Sequence, residues 1–159
     1  MDIYEINFDG SILKRGFWIY IWTIHTQRDG FLIYAGRTGD TSSPNAQSAF
    51  NRVSQHVDPN PNSHSNALAR NLRGRGISPE SCKFKFTAIG PIENECDTME
   101  THIPIRNRIA ALERRTADWF RNRGYEVLGN HPRPGDFDPD VWQKIESELT
   151  IRFAKLNGV

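Results

Sequence analysis

Two runs of aromatic and β-branched residues, Phe17–Thr26 and Phe31–Gly36, lie on either side of a break that contains Arg28-Asp29-Gly30. Such runs form strands, and a short glycine-containing break between them predicts a β-hairpin. Side chains alternate along a strand, so the length of the turn decides which of them share a face. A two-residue turn at Asp29-Gly30 would leave Tyr20 and Tyr34 on opposite faces. A three-residue turn, Arg28-Asp29-Gly30, sets Gln27 opposite Phe31 and Tyr34 opposite Ile24, and both tyrosines then share a face. That turn usually ends in a left-handed residue, and Gly30 stands where one is needed.

The rest of the chain adds helices. Residues 1–15 read as an irregular lead-in, with room for a short edge strand over Ile3–Phe8. Gly, Ser and Pro make Arg37–Asn45 a loop. Ser43-Pro44 then predicts a helix start, and Phe50, Val53 and Val57 give that helix an apolar stripe. A second helix spans Asn66–Arg73 and stops at Gly74 or Gly76. Cys82–Ile89 alternates as a strand that Gly90-Pro91 should end. Pro104 predicts the start of the longest helix, closed by Gly124, with Ile105, Ile109, Leu112, Thr116 and Phe120 inward. Tyr125–Leu128 is a brief extended piece, Asp136–Asp140 a loop, and 141–156 a final helix. The order is β-β-α-α-β-α plus a C-terminal helix. The fold class is α/β in the α+β sense: a small three-stranded antiparallel sheet flanked by helices. With 159 residues the chain suits a single domain, its core at about 16–130 and an extension at 131–159.

Charge is segregated rather than large. The net formal charge is +1, but residues 44–90 carry six bases against Asp58 and Glu80, and residues 105–125 carry six arginines against Glu113 and Asp118. The acids gather at Glu93–Asp97 and Asp136–Asp140. One basic face would suit a phosphate backbone, although a solvated helix surface has the same composition. No apolar run approaches the roughly 18 residues of a membrane span. Met1–Glu5 lacks the basic, then apolar, pattern of a secretory leader. Cys82 and Cys96 form no metal spacing and read as buried thiols of a cytoplasmic protein.

Several polar residues fall at informative places. Arg52 and His56 are i, i+4 on one helix, on a face roughly 100° from its apolar stripe. Glu113 lies roughly 80° from Ile105, at the border of its helix's buried face, where a carboxylate is costly without a partner or a metal. Singly, each has an ordinary reading: strand tyrosines, a solvated flank, a paired boundary glutamate, a turn asparagine at Asn130.

In order they form a pattern. Trp18-Ile19-Tyr20, then Tyr34-Ala35-Gly36-Arg37-Thr38, then Arg52-x-x-x-His56, then Ala110-Ala111-Leu112-Glu113, then Asn130 resembles the GIY-YIG nuclease family over roughly residues 16–130. Trp18 replaces the first triplet's glycine and Ala35 the second triplet's isoleucine. The gap between the triplets and the loop before Arg52 are both long.

The resemblance implies a metal-dependent endonuclease that hydrolyses DNA phosphodiesters. It assigns Glu113 as the single ligand of Mg2+ (or Mn2+), Tyr20 as general base, and Arg52 as the group that supports the phosphate charge. Tyr34 and His56 become positioning groups, with His56 able to take the Tyr20 proton, and Asn130 orients Tyr20 or the scissile region. A phenol with a pKa near 10 needs nearby positive charge to act near neutrality, which Arg52 could supply. Both tyrosines must then face one site, which selects the three-residue turn. Gly36 would let the backbone approach substrate, Arg37 would touch phosphate, and Arg70, Arg73, Arg75, Arg106 and Arg114 would border a DNA groove. Duplex DNA is the expected partner, with a possible homodimer on it and no membrane. A compact restriction, phage or mobile-element nuclease fits this length. An RNA-cleaving nuclease or toxin, or a non-catalytic nucleic-acid-binding module, is the alternative.

Overall fold

Eight of the nine residues of β1 (Phe17–His25) are buried, because both faces of this central strand are covered. The computed structural model describes residues 1–27, 30–60 and 62–153. β2 (Phe31–Arg37) follows β1 as its antiparallel partner. α1 (Ala49–Val57), α2 (Ala67–Gly74), β3 (Lys83–Glu93), α3 (Met99–Arg121), β4 (Glu126–Val127) and α4 (Pro139–Phe153) complete the order. The class is α+β. The sheet is four-stranded and mixed, in the order β3-β1-β2-β4, rather than three-stranded and antiparallel. The extra strand is the extended piece after α3, which pairs parallel to Leu32 and Ile33.

Alternation along β1 sorts the core into two layers. Phe17, Ile19 and Ile21 face α3 and α4, packing with Ile109, Leu112, Phe120, Trp142, Ile145 and Leu149. Tyr20, Trp22 and Ile24 face the other way, with Leu32 from β2 and Leu68 and Leu72 from α2. Fully burying an apolar side chain of this size contributes about 1.5–3 kcal/mol, so burial on both faces of the sheet stabilises the packing of the helices.

The hairpin register differs from the expected one by two residues. Tyr20 pairs with Gly36, Tyr34 with Trp22 and His25 with Phe31. The Thr26 amide donates to the Gly30 carbonyl at 3.0 Å, so Gly30 closes the ladder instead of ending the turn. A shift of two preserves the face, and Tyr20 and Tyr34 lie on the same side of the sheet. Gly30 has φ 66°; Arg28 and Asp29 of the expected turn lie outside the described residues.

Other element ends moved for identifiable reasons. Residues 3–8 form no strand, and Ile3, Tyr4 and Ile6 are exposed. α1 starts at Ala49, not Pro44, because the Ser48 side chain caps it by accepting from the Asn51 amide. α3 starts at Met99 with Thr98 as cap, and Pro104 sits inside it. β3 runs on through Gly90-Pro91: Gly90 takes φ 149°, and a Cβ there would lie 2.8 Å from the Trp18 ring. The thiols of Cys82 and Cys96 are free and half-buried. α4 is described to Phe153; the expected end at 156 lies outside the described residues.

Candidate active site

β4 covers only Leu32 and Ile33 of β2, which leaves the Gly36–Arg37 end without a strand on that side. There a cavity of about 260 Å³ opens, lined by Tyr20, Tyr34, Gly36, Arg37, Asp40, Arg52, His56, His64, Ser65, Ala67 and Glu113. Tyr20, Tyr34 and Gly36 come from the α1/α2 face of the hairpin. Arg37 alternates to the other face and meets Glu113 of α3. The site therefore straddles the end of the sheet, and groups from both layers reach it.

Tyr20 is 2% exposed and its hydroxyl lies 2.6 Å from Nε2 of His56. The His56 ring also stands 5.2 Å from that of Tyr34. Gly36 makes this arrangement possible, since a Cβ there would lie 2.5 Å from the Tyr20 ring. The close approach that requires this glycine is thus made by the phenol. On α1 the inward face is the one bearing His56, 5% exposed, while Phe50, Val53 and Val57 are half-buried.

The charged groups are paired across elements. Arg37 donates to Glu113, and Arg52 donates to Asp40 through Nη2 and to Gln55 Oε1 through Nη1 at 3.1 Å. Arg37 Nε, Arg52 Nε and His56 Nδ1 are buried and have no hydrogen-bond partner. All three atoms belong to side chains that line the cavity.

Burial dominates the ionisation. It pushes the Glu113 carboxyl up to about 7, with the Arg37 charge opposing it only in part. It pushes Tyr34 up to about 12, and Glu113 adds to the shift. The Tyr20 phenol lies well above its ordinary range through burial and the neighbouring Tyr34, against which Arg52 works in part. Burial and then Arg52 lower His56 to about 4. Arg52 acts on Tyr20 in the expected direction, toward ionisation, but burial acts against it and is the larger effect. Tyr20 holds its proton against a neutral imidazole that can accept it.

The remaining sequence candidates spread out. Asn130 is exposed and does not line the cavity; beside it, Gly129 (φ 83°) packs against Tyr34. His131 sets Nε2 3.3 Å from the Ala35 carbonyl. Arg70 and Arg75 line a shallow depression with Ala67, Asn71 and Gly74, which shares Ala67 with the cavity. Arg75 also pairs with Glu126. Arg73 points away and donates to the Pro59 carbonyl at 2.7 Å. Arg114 pairs with Asp118 at 2.7 Å, and Arg106 is half-buried on α3 outside the cavity lining.

Sequence reasoning missed Asp40, His64 and Ser65, which sit in loops where no periodicity marks a face. It also missed His102, which is fully buried and sets its ring nitrogens 3.0 Å from the Gly39 carbonyl and 3.1 Å from that of Pro44. That residue fixes the loop that carries Asp40. Its i+3 and i+7 relation to Ile105 and Ile109 was the available signal.

Comparison of the chain with known protein families, with curated proteins and with solved structures gives no match in any of the three. Among the described residues no helix is long and apolar enough to cross a membrane, and no three His, Cys, Asp or Glu side chains gather as a metal cluster.

Proposed function

We propose that the chain is a metal-dependent endonuclease that hydrolyses DNA phosphodiester bonds in this cavity. The observation that carries the reading is convergence. Tyr20, Tyr34, Arg37, Arg52, His56 and Glu113 come from β1, β2, α1 and α3 and line one polar cavity. Hydrolysis of a phosphodiester needs a proton acceptor for the attacking water, charge support for the phosphate and help for the leaving oxygen. The Tyr20–His56 pair is suited to the first task. As Tyr20 takes a proton from water, its own proton can pass along the 2.6 Å hydrogen bond to neutral His56. Arg52 and Arg37 are suited to the second, since guanidinium groups donate to phosphate oxygens in a planar fork.

A divalent cation fits the donor set. Glu113 offers a carboxylate at the cavity wall, and Asp40 is a second one in the same cavity. With one or two carboxylates, Mg2+ keeps most of its waters and takes substrate oxygens. Bound there it would polarise the phosphoryl group and stabilise the leaving oxygen. Glu113 must exchange Arg37 for the cation, which frees Arg37 to meet phosphate.

The test is incubation of purified protein with supercoiled plasmid, linear duplex and RNA, in Mg2+ or EDTA, with end mapping. Cation-dependent DNA cleavage is expected. Cleavage of RNA alone would support the ribonuclease alternative, and binding without cleavage the non-catalytic one.

A further inference from the structure

Asp40 and Arg52 are unequally committed to their ion pair. The Arg52 side chain is 13% exposed and that of Asp40 44% exposed. Arg52 cannot leave: α1 carries it into the cavity wall and Gln55 holds Nη1 at 3.1 Å. Asp40 can turn outward into water with little penalty, whereas a buried guanidinium without a counter-charge is costly.

The pair is also incomplete. Asp40 accepts from Nη2 alone, while the adjacent Nε of the same guanidinium edge is buried without a partner. The full use of such an edge is visible elsewhere in the protein. Arg15 gives Nε and Nη2 to the two oxygens of Glu95 at 2.7 and 2.6 Å. An anion with two free oxygens would satisfy Arg52 better than Asp40 does. The backbone that carries Asp40 is fixed, because His102 faces the Gly39 and Pro44 carbonyls and Thr38 hydrogen-bonds Trp18 and Gly16. Only the side chain has to move.

We propose that Asp40 is an anion placeholder, a tethered carboxylate that keeps Arg52 neutralised until a phosphate group displaces it and takes both donors, Nε and Nη2, of that guanidinium edge. This deepens the reading of the cavity as a phosphodiester site and rests on it. The placeholder lowers apparent affinity for any anion by the fraction of time it occupies Arg52.

The test uses inorganic phosphate in EDTA, so it needs neither cation nor cleavage. Isotope-labelled protein is titrated while the Arg52 Nε–H resonance and the Asp40 side-chain carboxyl carbon are followed. Both should move with a single Kd. Asp40→Asn should tighten that Kd by about tenfold, the effect of a competent state populated to roughly a tenth, and Asp40→Glu should not. A phosphate titration that moves Arg52 and leaves the Asp40 carboxyl unmoved overturns the proposal. So does an unchanged Kd in Asp40→Asn, or no phosphate binding in either protein. Plasmid cleavage by the wild type is scored separately, so a failed placeholder in an active nuclease is distinguishable from a placeholder in a protein that cuts nothing.

Discussion

The Tyr20 hydroxyl and His56 Nε2 share one hydrogen bond of 2.6 Å inside the protein, and burial favours the neutral form of each partner. Neither group can act well alone, since a protonated phenol is a poor base and the imidazole lies behind it. Removing either should therefore cost what removing both costs. Tyr20→Phe, His56→Gln and the double variant should each lose about 10²–10⁴ in kcat on a plasmid substrate. A double variant that loses the product of the single effects would show that the two act independently.

Glu113→Gln keeps the shape of the side chain and removes its charge. Cleavage should be abolished, while the far-UV spectrum and duplex binding in EDTA are retained. Calorimetric titration should show Mn2+ binding to the wild type and none to the variant. Turnover near the wild-type level would remove Glu113 from the cation site.

Glu113 and His56 should oppose one another in the pH dependence of stability. His56 is lowered to about 4, so the unfolded state takes up its proton first, and this stability is lost as pH falls from about 6.5 through 4. Glu113 is raised to about 7, so its contribution is fully present below about 4.5 and is lost as pH rises through 7. The two shifts are each worth about 3 kcal/mol at most. Urea unfolding in EDTA between pH 4 and 7 should show Glu113→Gln gaining stability with pH more steeply than the wild type. His56→Gln should show the opposite trend. Parallel curves for all three proteins would mean that these groups do not titrate differently in the folded state.

The arginines should not contribute equally to duplex binding. Arg70 and Arg75 line the depression that adjoins the cavity, whereas Arg73 is turned to the Pro59 carbonyl and Arg114 to Asp118. Each phosphate contact adds about 0.9 to the slope of log affinity against log salt. Arg70→Ala should lower that slope by about one unit, and Arg73→Ala should leave it nearly unchanged. Equal slopes for the two variants would mean that the depression is not the DNA path.

One cavity holds a single Tyr20–His56 pair, so a double-strand break needs two visits or two copies. Nicked plasmid should therefore accumulate before linear product. Sedimentation on a short duplex would show whether a second copy joins, as a two-fold arrangement requires. Linear product without a nicked intermediate, from a protein that stays monomeric on DNA, would contradict this.

What the sequence determined by itself was local. Aromatic and β-branched runs and Gly30 specified the hairpin, and alternation put Tyr20 and Tyr34 on one face even though the register moved by two. The i, i+4 spacing set Arg52 and His56 side by side, and the apolar stripe of α3 placed Glu113 at its edge. Only the tertiary structure decided the rest, because those features depend on groups far apart in the chain. Pro44 does not start α1: Ser48 caps the helix at Ala49, and the Pro44 carbonyl instead faces His102 of α3. β4 pairs with β2 only where α3 returns the chain to the sheet, and its two residues leave the Gly36–Arg37 end open. Arg37 meets Glu113 across that open end, and Asp40 reaches Arg52 from a loop that no periodicity describes. The ionisation of the site was likewise beyond the sequence. Proximity to arginine favours charge and burial opposes it, and only packing shows that burial is the larger effect at Tyr20 and Glu113.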